Sequence, residues 1–221
     1  MPIPARRFDA VIFDLDGTLL DTIDDIAAAM NAVLEARGYP IFSVEEYKIL
    51  VGDGIEEMVR RALAHARLDA EAVAAIVVEY RREYERAWRR SSRPYPEVPE
   101  LLQELRRRRV KSAILSNKAH AFTAAMTAEL LPGFAFNVVR GAEPGIPLKP
   151  DPAPALAIAR RMGVAPEACV FLGDTRVDMQ TAKAAGLFPV GALWGFRNAQ
   201  ELLESGAALL LASPLELLSL F

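Results

Sequence analysis

The sequence is poor in cysteine and has no long apolar run. Cys169 is the single cysteine among 221 residues, which excludes an internal disulfide framework and is typical of proteins in reducing compartments. No stretch reaches about 18 uninterrupted apolar residues, so the sequence predicts no membrane span. Residues 1–7 lack the apolar segment of a secretory signal and lead directly into a predicted strand. We therefore expect a cytoplasmic protein.

Neither sign of charge dominates the sequence. Lysine and arginine number 26 against 29 aspartate and glutamate residues, for a formal net charge of −3 and a pI near 5.6. This balance provides no field that would attract nucleic acid or an anionic membrane, and we expect neither as a partner. The one basic cluster, residues 106–109, lies where a helix is predicted to end, and there it complements the helix dipole.

Short apolar runs predict the strands of a sheet, at residues 10–15, 112–116, 136–140, 169–173, 188–193 and 208–212. Most runs are continuous rather than alternating, which is typical of parallel strands covered on both faces. Helical patterns fill most intervals from the second run onward. The sequence therefore predicts an α/β fold with a doubly wound parallel sheet of about five or six strands.

The interval after the first strand is different. About 80 residues separate this strand from the next core helix, far more than a normal strand-to-helix loop contains. Their apolar residues recur at helical spacing, with no strand-like run. We therefore predict an inserted all-helical domain at residues 21–92, with the core formed by residues 1–20 and 93–221.

Polar residues gather where the predicted strands end, and the carboxyl ends of parallel strands are where doubly wound sheets bind ligands. Four carboxylates would converge there, and their mutual repulsion calls for a divalent cation such as Mg²⁺. A lysine in a proline-stiffened loop, with hydroxyl and amide groups nearby, would supply charge and donors for a phosphoryl group. The residues concerned are Asp14, Asp16, Ser116, Asn117, Lys118, Lys149, Asp174 and Asp178.

In their order and spacing these segments resemble the haloacid dehalogenase-like superfamily across essentially the whole chain, with Asp-x-Asp-Gly-Thr at residues 14–18 as the most specific part. The resemblance implies a Mg²⁺-dependent phosphatase that forms an aspartyl phosphate and has a helical cap. It also implies these roles: Asp14 as nucleophile and metal ligand, Asp16 as general acid and base with its carbonyl on the metal, Ser116 and Lys149 for the phosphate, and Asp174 and Asp178 for the metal. Whether Asp178 binds the metal directly or through water stays open.

Three further segments, residues 51–54, 116–120 and 193–197, are similar to the phosphoglycolate phosphatase branch of that superfamily. This resemblance implies a small anionic substrate, with 2-phosphoglycolate first, and a cap loop that places Gly52 and Gly54 against it. Lys118 or Arg197 would pair with the substrate carboxylate, unless both are solvated surface charges. The chain is expected to be a monomer or a homodimer.

Other functions on the same core remain open. A phosphosugar mutase or a pyrophosphatase would share every core motif, and a non-catalytic phosphoryl-binding regulator is a third class. Dehalogenation needs no leaving-group acid at the second aspartate of the motif, so Asp16 argues against it. The pattern also leaves open whether Trp194 and Phe196 belong to the core or to the site, and it predicts that His120 begins a helix.

Overall fold

The computed structural model describes residues 8–221 and divides into two compact units. One unit contains the chain up to Leu20 together with Pro94–Phe221, and the other contains Asp21–Arg93. The predicted absence of a signal segment at residues 1–7 lies outside the described residues. Along the described part of the chain, no helix has the length and apolar character needed to cross a membrane.

The first unit is built on a six-stranded sheet with the order β5-β4-β1-β6-β7-β8. Every neighbouring pair in this sheet is parallel. Two short strands, β2 and β3, pair separately. The strands are β1 (Ala10–Phe13), β2 (Leu20–Asp21), β3 (Arg93–Pro94), β4 (Lys111–Ala119), β5 (Val138–Ala142), β6 (Cys169–Gly173), β7 (Phe188–Ala192) and β8 (Leu209–Leu211).

Helices occupy most of the remaining chain, and short 3₁₀ turns lie at Ala64–Ala66, Pro166–Ala168 and Pro214–Leu220. The α-helices are α1 (Ile23–Ala36), α2 (Val44–Leu50), α3 (Ile55–Ala62), α4 (Ala70–Ala87), α5 (Val98–Arg107), α6 (His120–Leu130), α7 (Ala153–Met162), α8 (Arg176–Ala185) and α9 (Ala199–Glu204). The predicted α/β class with a parallel sheet is confirmed.

The sheet is covered on both faces, which explains its continuous apolar runs. Ala10 and Ile12 of β1 belong to a buried cluster with residues of helices α7 and α8. Successive side chains of a strand point to opposite faces, so Val11 and Phe13 point the other way, and they too have no exposed surface. Apolar residues are therefore required at every position of this strand.

Local signals place several element ends correctly. β6 occupies the predicted residues 169–173, and helices α7 and α8 stop directly before Gly163 and Gly186, as predicted. Both glycines adopt left-handed backbone angles, with φ of 65° and 71°, which a residue without a Cβ adopts at little cost. Helix α6 begins at His120, as predicted.

Most strand bounds differ from the prediction by a few residues. β1 ends at Phe13 rather than at residue 15, β7 ends at Ala192 rather than at residue 193, and β8 covers Leu209–Leu211 rather than residues 208–212. β4 was predicted to end at Ser116 but continues to Ala119, because Ala119 pairs with Ala142 of β5 after a shift in register. The strand therefore extends through residues whose polar side chains indicated a loop. β5 begins and ends two residues later than predicted, at Val138 and Ala142.

The second unit is helical, with no strand between residues 55 and 90. Its core contains the fully buried rings of Tyr47 and Trp88 and the almost fully buried ring of Tyr84, at 1% exposure. In helix α1, the buried Asp25 carboxylate accepts hydrogen bonds from the backbone amides of Ser91 and Ser92. These bonds tie the last residues of the unit to its first helix, because an acceptor-only carboxylate satisfies buried backbone donors.

Candidate active site

The turn after β1 holds Asp14 beside the strand end. The Asp14 amide donates to the carbonyl of Leu172 in β6 at 2.9 Å, which extends the β1–β6 pairing by one residue. The residue is 7% exposed, and its Oδ1 accepts a 2.7 Å hydrogen bond from the Leu15 amide. The chain then turns tightly, with the Gly17 amide donating to the Leu20 carbonyl. Asp14 is thus fixed at the carboxyl edge of the sheet.

Lys149 reaches this edge from the loop between β5 and α7. Its Nζ lies 2.9 Å from Asp14 Oδ1 and 2.6 Å from Asp178 Oδ1, and the residue is only 4% exposed. The Asn117 side chain binds the Lys149 backbone twice, accepting from its amide and donating to its carbonyl, each at 2.9 Å. The Asn117 side chain thus holds the lysine loop, and its predicted contact with phosphate stays a prediction.

Two further carboxylates follow β6, and neither has any exposed surface. Asp174 accepts from the Thr18 hydroxyl at 3.1 Å and from the Phe196 amide at 2.8 Å, one donor on each oxygen. Asp178 Oδ2 accepts from the amide and the hydroxyl of Thr175, in a capping arrangement at the start of α8. With Lys149 on its other oxygen, Asp178 has protein donors at both oxygens.

Burial controls the ionisation of this cluster. It raises the pKa of Asp14 to about 7, with Lys149 opposing the shift and Asp178 adding to it. It also raises the pKa of Asp174 well above its usual range, and the charges of Asp178 and Asp14 raise it further. Burial by itself would lower the pKa of Lys149, but the charges of Asp14 and Asp178 outweigh it, so the pKa is raised and the lysine stays cationic.

The cluster fits a hard divalent cation. Oxygen atoms of Asp14, Asp174 and Asp178 lie within 4.8 Å of one another. Against these three carboxylates stands the one ammonium group of Lys149, so two negative charges remain in excess when all groups are ionised. Either bound protons or one dication can balance this charge. Since all donors in the cluster are carboxylate oxygens, they match Mg²⁺ better than metals that prefer nitrogen or sulfur.

Asp16 and Lys118 form a second pair at the same edge. Lys118 Nζ lies 3.0 Å from both oxygens of Asp16, so the Asp16 carboxylate is directed to the lysine and not to the three-carboxylate cluster. The predicted metal contact of Asp16, through its backbone carbonyl, stays a prediction. Arg197, the other cation considered for substrate binding, pairs with Glu201 at 3.1 Å. The alternative that both cations are solvated is wrong, because their side chains are only 8% and 10% exposed.

The remaining predicted residues are divided between the two units. Ser116 is 4% exposed, and its hydroxyl accepts from the Lys118 amide at 3.2 Å, close to the Asn117–Lys149 contact. Gly52 and Gly54 belong to the second unit, in a loop where Asp53 pairs with Arg61 at 2.6 Å. Their part in substrate binding stays a prediction.

Sequence reasoning assigned no contact with the aspartates to Thr18 or Thr175, and it left open whether Trp194 belongs to the site. The hydroxyl of Thr18 donates to Asp174, the hydroxyl of Thr175 donates to Asp178, and the indole of Trp194 donates to the Thr18 carbonyl at 2.9 Å. The three-residue spacing from Thr175 to Asp178 is a capping-box signal that could have been recognised. No local pattern predicts the contact of Trp194 with the Thr18 carbonyl, because the two residues lie 176 positions apart in the chain.

Comparisons with known proteins identify the family of this chain. The family model of haloacid dehalogenase-like hydrolases matches residues 8–186. A phosphoglycolate phosphatase of Pseudomonas putida is 36% identical, with 85% of this chain and 70% of that protein covered. One from Xanthomonas campestris pv. campestris is 37% identical, covering 85% and 84%. A crystal structure from Lactobacillus delbrueckii subsp. bulgaricus aligns with a TM-score of 0.87 at 30% identity, over 96% and 97% of the two chains. The resemblance inferred from the motifs is confirmed, and the chain belongs to the haloacid dehalogenase-like hydrolases.

Proposed function

We propose that this chain is a Mg²⁺-dependent phosphomonoester hydrolase that acts through an aspartyl phosphate on Asp14, with 2-phosphoglycolate as its substrate. The observation that carries the proposal is the buried cluster of Asp14, Asp174 and Asp178 around Lys149 at the carboxyl edge of the sheet. The relatives named phosphoglycolate phosphatase support the choice of substrate. We further propose a cytoplasmic enzyme.

Asp14 has the geometry of a nucleophile with a fixed orientation. The Leu15 amide and Lys149 both bind Oδ1, which leaves Oδ2 as the oxygen to attack phosphorus. The attack forms a bond between Oδ2 and phosphorus as the bond from phosphorus to the ester oxygen breaks. Lys149 and Ser116 then neutralise and orient the phosphoryl oxygens. A Mg²⁺ ion held by Asp14, Asp174 and the Asp16 carbonyl, with Asp178 at the same cluster, would supply positive charge against the repulsion between phosphate and carboxylate.

Asp16 is proposed to complete the two half-reactions. In the first it donates a proton to the leaving alkoxide, and in the second it accepts a proton from the water that hydrolyses the aspartyl phosphate. Lys118 Nζ lies 3.0 Å from both oxygens of Asp16. A second anionic group on the substrate would be a new partner for this mostly buried lysine, and we propose that Lys118 binds the substrate carboxylate in this way.

The overall activity is tested by release of free phosphate with Mg²⁺ and with a chelator. The panel contains 2-phosphoglycolate, p-nitrophenyl phosphate, phosphosugars, nucleotides and pyrophosphate. We expect Mg²⁺-dependent release and the highest kcat/KM for 2-phosphoglycolate. Isomerised phosphosugar without free phosphate would indicate a mutase, a preference for pyrophosphate would indicate a pyrophosphatase, and no turnover would indicate a binding protein.

We predict that kcat/KM for 2-phosphoglycolate exceeds that for ethyl phosphate, which lacks the carboxylate, by about tenfold or more. A charge-assisted contact contributes roughly 1.5–3 kcal/mol, which corresponds to that ratio. Lys118→Met is expected to reduce the ratio towards one. Because Lys118 contacts Asp16 whichever substrate is used, the ratio isolates the contact with the second anion. The exposed Lys183 is the control, since Lys183→Met should keep the wild-type ratio. An unchanged ratio in Lys118→Met would remove Lys118 from substrate recognition.

Asn117 gives a separate prediction about the lysine loop. Asn117→Ala removes both hydrogen bonds to the Lys149 backbone, so Lys149 should lose its fixed position between Asp14 and Asp178. We expect kcat to fall by about 10- to 100-fold, because a small misplacement of a catalytic group has effects of this size. Asn137→Ala is the matched control, since Asn137 also accepts from a backbone amide, that of Ser112, at the other end of β4. Equal kcat values for the two variants would contradict the assignment.

A further inference from the structure

Two loops donate hydrogen bonds to Asp174, and one of them, the segment after β7, contributes no residue to the superfamily motifs named above. The Phe196 amide donates to one Asp174 oxygen and the Thr18 hydroxyl donates to the other, at 2.8 and 3.1 Å. The indole Nε1 of Trp194 donates to the Thr18 carbonyl at 2.9 Å. These bonds connect the turn after β1, the end of β6 and the loop after β7 in a closed circuit around one carboxylate.

Two glycines let the backbone approach Asp174 closely. A Cβ added at Gly195 would overlap the Asp174 side chain and the carbonyl of Gly17. A Cβ added at Gly17 would overlap the Asp174 carboxylate itself. The backbones of both loops therefore lie directly against Asp174, and only glycine permits so close an approach. A small displacement of the loop after β7 must consequently displace the carboxylate.

We propose that Trp194 is a positioning residue for the metal site: its indole N–H, bound to the Thr18 carbonyl, locks the loop after β7 so that Thr18 and Phe196 hold the Asp174 carboxylate in the orientation that binds Mg²⁺. This inference rests on the metal site of the proposed function. Each carboxylate oxygen has two lone pairs, so a donor on each oxygen fixes the plane of the group and still leaves lone pairs for a cation. Trp194 does not touch Asp174 through its indole N–H and acts through Thr18.

The second tryptophan, Trp88, is a control that separates the effect of losing the indole hydrogen bond from the effect of a smaller ring. Trp88, the other tryptophan, is completely buried in the second unit, and its Nε1 has no hydrogen-bond partner among the described residues. A change to phenylalanine removes an indole N–H at either position. At Trp194 it removes a donor that the circuit uses, whereas at Trp88 it removes a donor that contributes no hydrogen bond.

The experiment measures metal binding without substrate. Mg²⁺ affinity is obtained from the rise in melting temperature across a Mg²⁺ titration, and Mn²⁺ affinity from the loss of the free-ion signal in electron paramagnetic resonance. Loss of a group that orients a metal ligand typically weakens affinity by about 10- to 100-fold, so we expect about tenfold weaker binding in Trp194→Phe. Trp88→Phe should bind both ions with affinities within about twofold of the wild-type protein, because no bond near the metal ligands changes.

Turnover provides a second readout that a merely structural role would not reproduce. In Trp194→Phe the Mg²⁺ concentration for half-maximal activity should rise about tenfold, while kcat at saturating Mg²⁺ stays within about twofold of wild type. Gly195→Ala displaces Asp174 directly and should weaken Mg²⁺ binding by about 100-fold. Wild-type affinity in Trp194→Phe would overturn the inference alone, as would an equal loss in Trp88→Phe. A wild-type chain that binds neither ion would overturn the inference together with the proposed metal site.

Discussion

Asp14→Asn is expected to reduce kcat on 2-phosphoglycolate by more than about a thousandfold while the protein stays folded. One oxygen of Asp14 forms the covalent bond to phosphorus, and an amide in its place is a far weaker nucleophile. The variant should fold normally because asparagine keeps the shape of the side chain. Its Oδ1 can still accept the bonds that Leu15 and Lys149 now donate to Asp14.

The matched control for this variant is Glu167→Gln. Glu167 is an exposed acid just before β6, at the end of the sheet opposite the candidate site. This change should leave kcat within about twofold of wild type, as expected for an exposed position. Mass spectrometry of rapidly quenched enzyme should detect a phosphoryl group on the wild-type chain and none on Asp14→Asn. Substantial turnover by the purified variant, or a phosphoryl group on another residue, would remove Asp14 from its assigned role.

Asp174→Asn is expected to raise the stability of the metal-free protein and at the same time to lower its turnover. At neutral pH the metal-free protein must keep Asp174 ionised next to two other carboxylates, or protonate it. A neutral amide removes that cost, and it can accept from the Phe196 amide while donating to the Thr18 hydroxyl. We expect the melting temperature of the metal-free variant to exceed that of the wild type by about 2–4 °C for each 1 kcal/mol gained. The rise in melting temperature that Mg²⁺ gives the wild type should disappear, and turnover should fall by at least about 100-fold.

The pH dependence of this effect follows from the direction of the shift. The pKa of Asp174 is raised in the folded protein, so its contribution to stability is complete below its unfolded pKa, near 3.8, and is lost as pH rises through the folded value. Asp14 acts in the same direction, with a folded pKa of about 7. The advantage of Asp174→Asn should therefore be small near pH 5 and larger near pH 8.

Differential scanning fluorimetry with a chelator and with Mg²⁺, at several pH values, measures both effects. Asp151→Asn is the control, because Asp151 is exposed and its Oδ1 accepts from the Ala153 amide, a bond that asparagine also makes. If the metal-free Asp174→Asn protein melts below the wild type at pH 8, repulsion between Asp174 and the other two carboxylates does not destabilise the metal-free wild type. An undiminished response to Mg²⁺ would contradict the role of Asp174 in holding the metal.

Much of the core fold could be predicted because its signals are local. Continuous apolar runs predicted strands buried on both faces, and β6 occupies the predicted residues 169–173. Glycines at the ends of α7 and α8 predicted where those helices end. Boundaries were less accurate where tertiary pairing overrides local polarity, as in β4, which continues to Ala119.

Sequence reasoning placed Asp14, Lys149, Asp174 and Asp178 at one edge of the sheet. It did not predict the hydrogen-bond partners of Asn117 and Lys118. Asn117 binds the backbone of Lys149, 32 positions away, and Lys118 binds Asp16, 102 positions away. A short polar segment at a strand end indicates that such groups face the edge of the sheet. It does not say which of several partners each group will meet there.

The sequence by itself determined the class of fold, the edge of the sheet where the chemistry lies and the residue types gathered there. These signals extend over a few residues, so they can be recognised without a structure. They are the alternation of strand and helix patterns, the apolar runs, the glycines that end helices and the spacing of the acidic motifs. Only the tertiary structure decided the pairings: Lys118 with Asp16, Asn117 with the Lys149 loop, and Trp194 with the Thr18 carbonyl. Each of these contacts depends on the strand order β5-β4-β1-β6-β7-β8 and on the direction of individual side chains, which are set when distant segments pack together.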